Sequence, residues 1–181
     1  MQNKFLHILH ILMPIALMLL FGLSSCGYHF SGTGGIVPEG AKTIAVPVFL
    51  NGTNEPFVDV ELTKAVVEEF LTDGRLKVVN LEAADLILRC KITKFDMTPT
   101  AYTADTHVQS YNVGIGVSVS LEETKTGKIL FQDKGLGSIF YASYSVTLGD
   151  ISATKTGKET AIKSASQDLA STIRSRVLEG F

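Results

Sequence analysis

The chain has 181 residues, with 16 Lys and Arg against 18 Asp and Glu and a formal net charge of −2. That balance excludes the basic footprint of a nucleic-acid binder, and no polybasic run steers the chain onto anionic lipid. Hydrophobic residues make up 45% and mean hydropathy is +0.25; the N-terminal segment inflates both, and the remainder suits one domain of ordinary size.

Lys4 precedes an apolar run from Ile11 to Leu23. A positive start followed by ~13 apolar residues is the pattern of a secretory signal peptide. It falls short of the ~20 that a membrane-spanning helix needs, and His10 and Pro14 count against one. Leu23-Ser24-Ser25-Cys26 follows and resembles a lipobox. Small residues at 24 and 25 let the extended chain enter a peptidase. The thiol of Cys26 accepts a diacylglyceryl group, and the α-amine freed by cleavage accepts a further acyl chain such as palmitate. One acyl chain holds a protein only marginally, whereas two or three anchor it stably, at ~0.8 kcal/mol per buried CH₂. The alternative is a signal peptide cut near Ser25 that leaves Cys26 a plain residue. The expected organisation is a signal peptide over 1–25, a lipidated N-terminus and tether over 26–41, and a single two-layer domain over 42–181.

Ser31 to Gly40 is turn-rich and reads as tether. Thr43 to Phe49 alternates, with Ile44, Val46 and Val48 on one face, and predicts a strand that Pro47 confines to an edge or ends early. In the loop Asn51 to Pro56, Asn54 is placed to cap a helix and Pro56 suits its first turn. That helix runs from about Phe57 to Asp73, with Leu62, Val66 and Phe70 as its apolar stripe, Val67 and Leu71 a little round the cylinder, and Gly74 past its end. Leu76 to Asn80 is a short strand. Asp85 to Phe95 is a second, with Leu86, Leu88, Cys90 and Ile92 on one face, so Cys90 reads as a small buried hydrophobe and no disulfide is expected.

After a polar stretch, Met97 to His107, comes the clearest strand. Tyr111, Val113, Ile115, Val117, Val119 and Leu121 alternate with Asn112, Gly114, Gly116, Ser118 and Ser120. Lys125 to Lys128 is a hairpin turn, and Ile129 to Tyr144 supplies the partner strand, loosened by Gly135 and Gly137. A last helix from about Thr156 to Leu178 shows Ile162, Ala165, Leu169, Ile173 and Val177 on one face. The expected fold is α+β, with two helices packed on one face of a mixed, mostly antiparallel sheet.

Catalytic chemistry is not in evidence. No metal-ligand spacing and no nucleophile elbow occurs, and no cofactor or metal is expected. Thr126-Gly127-Lys128 and Thr156-Gly157-Lys158 lack the upstream glycine of a phosphate loop and read as a hairpin turn and a helix start. Glu68-Glu69 and Glu122-Glu123 read as solvated faces. The row Asn112, Gly114, Gly116, Ser118, Ser120 stands out because glycine inside a strand costs stability and often marks close approach by another surface. It is the candidate partner contact; a plain solvent face is the alternative, although such a face normally carries longer side chains.

Cys26-Gly27-Tyr28-His29 after the lipobox, Val46 to Pro56, Thr63-Lys64-Ala65, Glu69-Phe70, Asp73-Gly74-Arg75-Leu76 and Ala84 to Leu88 resemble the LptE family of lipopolysaccharide-assembly lipoproteins. The resemblance implies two helices on a mixed sheet of about four strands. It also implies outer-membrane attachment facing the periplasm, consistent with Gly27 rather than Asp after the cysteine. The implied role is non-enzymatic: plug and assembly factor in the lumen of the β-barrel LptD, which delivers lipopolysaccharide to the cell surface. Basic loop residues credited in the family with lipopolysaccharide contact have no match in Thr98 to Ser110, which holds no Lys or Arg; Lys94 and Lys155 are the nearest candidates. The rival reading is a periplasmic adaptor lipoprotein of a peptidoglycan- or secretion-associated complex.

The lipobox reading makes a direct prediction. Intact mass of the native protein is expected to show a mature chain that starts at an acylated Cys26, and Cys26→Ser is expected to accumulate as uncleaved precursor. A mature N-terminus elsewhere, or an unmodified Cys26, refutes it.

Overall fold

A computed structural model describes residues 36–137 and 142–180. The chain parts into Met1–Thr33, all of it outside the described residues, and Gly34–Phe181. The signal peptide and Cys26 therefore lie outside the described residues.

The architecture grows from two long strands. β4 (Leu86–Tyr102) and β5 (Val108–Glu123) pair antiparallel from Leu86↔Glu123 to Tyr102↔Val108. The period of two puts Leu86, Leu88, Cys90 and Ile92 of β4 beside Val113, Ile115, Val117, Val119 and Leu121 of β5 in one apolar layer, all buried. Burial pushes the Cys90 thiol up to about 12, so at neutral pH it is an inert hydrophobe. Met97 to Tyr102 continues β4 rather than forming a polar connection. Only the turn after Thr103, in which Thr106 takes a positive φ, separates the two strands.

On the other side of β4 the chain is parallel. β1 (Thr43–Ala45) pairs with β4 at Ile44↔Leu86, β2 (Leu50–Asn51) at Leu50↔Lys91, and β3 (Lys77–Val78) pairs with β1. β6 (Ile129–Gly137) and β7 (Ala142–Ser145) pair with the two halves of β5. The sheet is mixed, as expected, but it has seven strands rather than about four, and its pairings are half parallel rather than mostly antiparallel. β3 falls within the short strand expected over Leu76 to Asn80, whereas β2, with two residues, has no periodicity to betray it. The single partner strand expected over Ile129 to Tyr144 is two strands, separated by residues 138–141, which lie outside the described ones. Pro47 ends the first strand at Ala45, so Val48 is exposed while Phe49 is buried.

Helix α1 (Val58–Asp73) buries Val58, Leu62, Ala65, Val66 and Phe70. Leu71 is 62% exposed: one residue advances the helix by about 100°, and from Phe70 that step leaves the core face. No side chain caps its start. Phe57 occupies the N-cap position at φ 63, and Asn54 does not serve. Its end is as expected, with Gly74 at φ 75 donating to the Phe70 carbonyl at 3.1 Å.

Helix α2 (Ile151–Glu179) starts five residues before the apolar pattern does, because the Asp150 carboxylate accepts the Ala153 N–H at 2.9 Å. Thr156-Gly157-Lys158 is therefore helix interior. Its buried row Ile162, Ala165, Leu169, Ile173 and Val177 joins α1 and the sheet in one core, supplemented by Ala161 and Ala170. Ile36 and Val37, ahead of β1, also pack against this core.

An ion cluster ties the helix ends together. Asp73 meets Arg75 at 2.7 Å and Arg174 at 3.2 Å, Arg174 also reaches Glu69 at 2.9 Å, and Arg75 reaches Glu179 at 3.6 Å. The Arg75 side chain, hydrogen-bonded to Asp73, holds that carboxyl at about 2, against 3.8 ordinarily. A depressed folded-state pKa gives stability that is present above the unfolded value and lost as pH falls through the folded one. Wild type is expected to lose on the order of 1 kcal/mol relative to Asp73→Asn between pH 5 and pH 2, a figure reduced by screening at the half-exposed Arg75. Urea midpoints across that range check it; parallel curves for the two proteins would refute it.

Candidate partner interface

Asn112, Gly114, Gly116, Ser118 and Ser120 form one row along β5 on the side opposite the core. All are half-buried except Gly114, which is buried. Their β4 neighbours in register are Thr98, Asp96, Lys94, Lys91 and Arg89. On the other flank stand Ser143, Gly137 and Gln132. A trough of small residues therefore runs beside a ridge of charged ones. The ridge is internally neutralised where Lys94 meets Asp96 at 2.5 Å and Arg89 meets Glu122 at 3.1 Å.

One of the two glycines has an explanation within the chain. A Cβ on Gly116 falls 3.1 Å from the Lys94 Cβ, where β4 bulges between Ile92 and Lys94 and the Thr93 hydroxyl donates to the Gly116 carbonyl at 3.2 Å. Extra residues at bulges sharpen local twist, and here the crowding falls on position 116.

The basic candidates do not stand alone. Lys94 has its Asp96, and Lys155 lies 3.8 Å from Glu159. Lys155 lines a cleft of about 600 Å³ between the start of α1 and α2, where Lys158 and Lys163 face Glu55, Glu61 and Glu159. Lys158 bonds Glu55 at 2.8 Å and lies 5.8 Å from the centre of the Phe95 ring. Balanced charge makes this a joint between elements rather than an anion site. Glu69 and Glu122, expected as plain solvated faces, are likewise ion-paired. Among the described residues no group of three His, Cys, Asp or Glu is disposed to hold a metal, and no helix is long and apolar enough to cross a membrane.

The motifs that stood out in the sequence prove to be joints of the scaffold. The Asp85 carboxylate accepts the Lys42 N–H at 3.0 Å, the Thr43 N–H at 3.2 Å and the Thr43 hydroxyl at 2.9 Å, fastening β1 to β4. These bonds, the Lys42 N–H first, lower its pKa. The Thr63 hydroxyl accepts the Phe49 N–H at 3.0 Å inside the core. The Asn51 side chain donates to the Glu55 carbonyl at 2.7 Å and accepts the Thr53 N–H at 2.9 Å, fixing the loop before α1. Sequence reasoning missed two features: the outward apolar residues Phe57, Val60 and Ile151, and the edge of β4 beyond Ile92, which no strand among the described residues covers. The first had no periodic signal; the second had one in Pro99, a residue that central strands exclude.

Comparison with known proteins bears on the whole arrangement. The family described as LptE, lipopolysaccharide-assembly, matches residues 41–177. Among solved structures, protein CT253 from Chlamydia trachomatis is 14% identical at a TM-score of 0.53, over 78% of this chain and 97% of that one. Protein XCC0632 from Xanthomonas campestris is 12% identical at 0.53, over 79% and 88%. At such identities the likeness shows the fold alone. Comparison with curated protein sequences gives no match.

The close approach at Gly52 is testable. A Cβ there falls 2.6 Å from the Ile92 carbonyl oxygen, backbone against backbone. Gly52→Ala is expected to destabilise by ~1–3 kcal/mol through forced displacement, read as a lowered urea midpoint at constant slope. A change under ~0.5 kcal/mol, the range of ordinary surface substitutions, would refute the constraint.

Proposed function

Because this chain belongs to the LptE lipopolysaccharide-assembly family, we propose that it is the plug and assembly subunit of the outer-membrane β-barrel LptD, anchored through acylated Cys26 on the periplasmic side. The family is one of non-enzymatic lipoproteins of lipopolysaccharide assembly, and that coarse role is the chain's own. The barrel partnership and the residues that make it are the proposal.

The observation that carries it is the outward row of β5. Sixteen residues at ~3.3 Å each give a strand of roughly 50 Å, long enough to reach well into a barrel. Both helices bury their apolar rows in the core on the other face. The row from Asn112 to Ser120 is left with no side chain larger than asparagine. Small groups let a second backbone come close, and their hydroxyls and amide bond readily in a wet lumen. Lys94 and Lys155, each with a carboxylate at hand, supply no concentrated positive charge for the phosphates of lipopolysaccharide, so the reading rests on the barrel and not on a lipid site.

The test is mild-detergent affinity purification of the lipidated chain, with the barrel quantified by mass spectrometry. Gly114 is buried and Gly116 is crowded by Lys94, so the informative variants are Ser118→Arg and Ser120→Arg. Both are expected to melt near wild type and to recover about tenfold less barrel, equivalent to ~1.4 kcal/mol of binding. If both variants fold and recover wild-type amounts, the row is not the contact. If wild type recovers no barrel, the plug reading fails and the adaptor reading replaces it.

A further inference from the structure

Among the described residues β4 is paired with β5 along one edge throughout, but along its other edge only as far as Ile92. β2 ends at Asn51, the Gly52 N–H donates to the Ile92 carbonyl at 2.9 Å, and the chain then turns away. In line with β2, between this loop and β4, lies an open groove of about 440 Å³ lined by Gly52, Thr53, Asn54, Thr93, Phe95 and Met97. Among the described residues no strand pairs with β4 there.

In an antiparallel pair, alternate residues aim their N–H and C=O away from the partner strand. Ile92 is one of these, since its carbonyl meets Gly52, and its side chain faces the core. Past the bulge at Thr93, Phe95, Met97 and Pro99 oppose Ile115, Val113 and Tyr111 of the core row and so carry the same phase. Pro99 agrees, because a strand proline sits where its missing N–H faces away from the ladder. The edge therefore offers the N–H groups of Phe95 and Met97 and the carbonyls of Phe95, Met97 and Pro99.

We propose that this window of β4 receives a short extended segment of the partner protein as an added strand, continuing the line of β2. The inference rests on the barrel reading and names a second contact for it. Main-chain bonds supply affinity in such augmentation, and alternate side chains supply specificity. An incoming strand sets apolar side chains beside Phe95 and Met97, the latter 43% exposed. It sets polar ones beside the Lys94–Asp96 pair. The window is closed by the bulge at one end and by Pro99 at the other; bulges and prolines are the devices that keep an edge from open-ended pairing.

The test is amide hydrogen exchange on the lipidated chain, alone and in its purified complex with the barrel. The Phe95 and Met97 amides are expected to exchange at least about tenfold more slowly in the complex. Met97→Pro removes one donor in the phase that already holds Pro99. It is expected to melt near wild type and to recover at least about tenfold less barrel, while Met97→Leu recovers the wild-type amount. Equal exchange of both amides in the two states overturns the proposal, and so does full recovery by a folded Met97→Pro. Should Met97→Pro fail to fold, the wild-type exchange comparison decides alone. A wild-type chain that recovers no barrel overturns the plug reading and this inference together; recovery without protection overturns only the edge.

Discussion

Everything in the described fold hangs on the ladder between β4 and β5. Each strand is alternately apolar and polar for most of its length, and antiparallel register brings the two apolar rows onto one side. Only after that layer exists do α1 and α2 have a surface to bury their stripes against, and only then does β1 find a parallel partner in Leu86 and Ile87. The short elements are consequences of the long ones. Strands as brief as β2 and β3 have no stability of their own; they are held because Asp85 fastens the start of β1 and the Gly52 N–H reaches Ile92.

This dependence explains what the sequence made legible. The alternation from Tyr111 to Leu121 falls wholly within β5 (Val108–Glu123), and Gly74 marks the end of α1 because few other residues hold φ 75 at low cost. Long periodic elements announce themselves, since each repeat adds evidence. What stayed hidden was short or governed by a single contact. The two-residue parallel strand β2 carries no pattern. The first turns of α2 are polar, and only the Asp150 cap declares them. Leu71 looked like core because it is apolar and near Phe70, yet the helical step turns it outward.

The family motifs tell a related story. Asn51, Gly52, Thr63, Asp73, Arg75 and Asp85 make a cap-like loop, a close backbone approach, a buried bond, an ion cluster and a strand clamp. None of them lies in the outward row of β5. A family can thus be recognised from residues that build its scaffold while the contact surface stays unmarked, because a surface of Ser, Gly and Asn draws its meaning from what is absent rather than from any distinctive chemistry.

The bulge at Thr93 joins these threads. A strand of period two that gains one residue sends every later side chain to the opposite face, and without compensation Phe95 and Met97 would point away from the core. The bulge takes up that residue: Ile92 opposes Val117, Lys94 opposes Gly116, and Phe95 returns to the core side against Ile115. The correction has a visible cost. Lys94 is crowded against Gly116, where a Cβ would fall 3.1 Å from its own, and the pairing of β2 ends at Asn51↔Ile92, the last register position before the bulge. The crowded Gly116 and the edge that no described strand covers therefore meet at one local device, on opposite flanks of the same strand. A partner that used both would read the bulge itself as the register mark for docking.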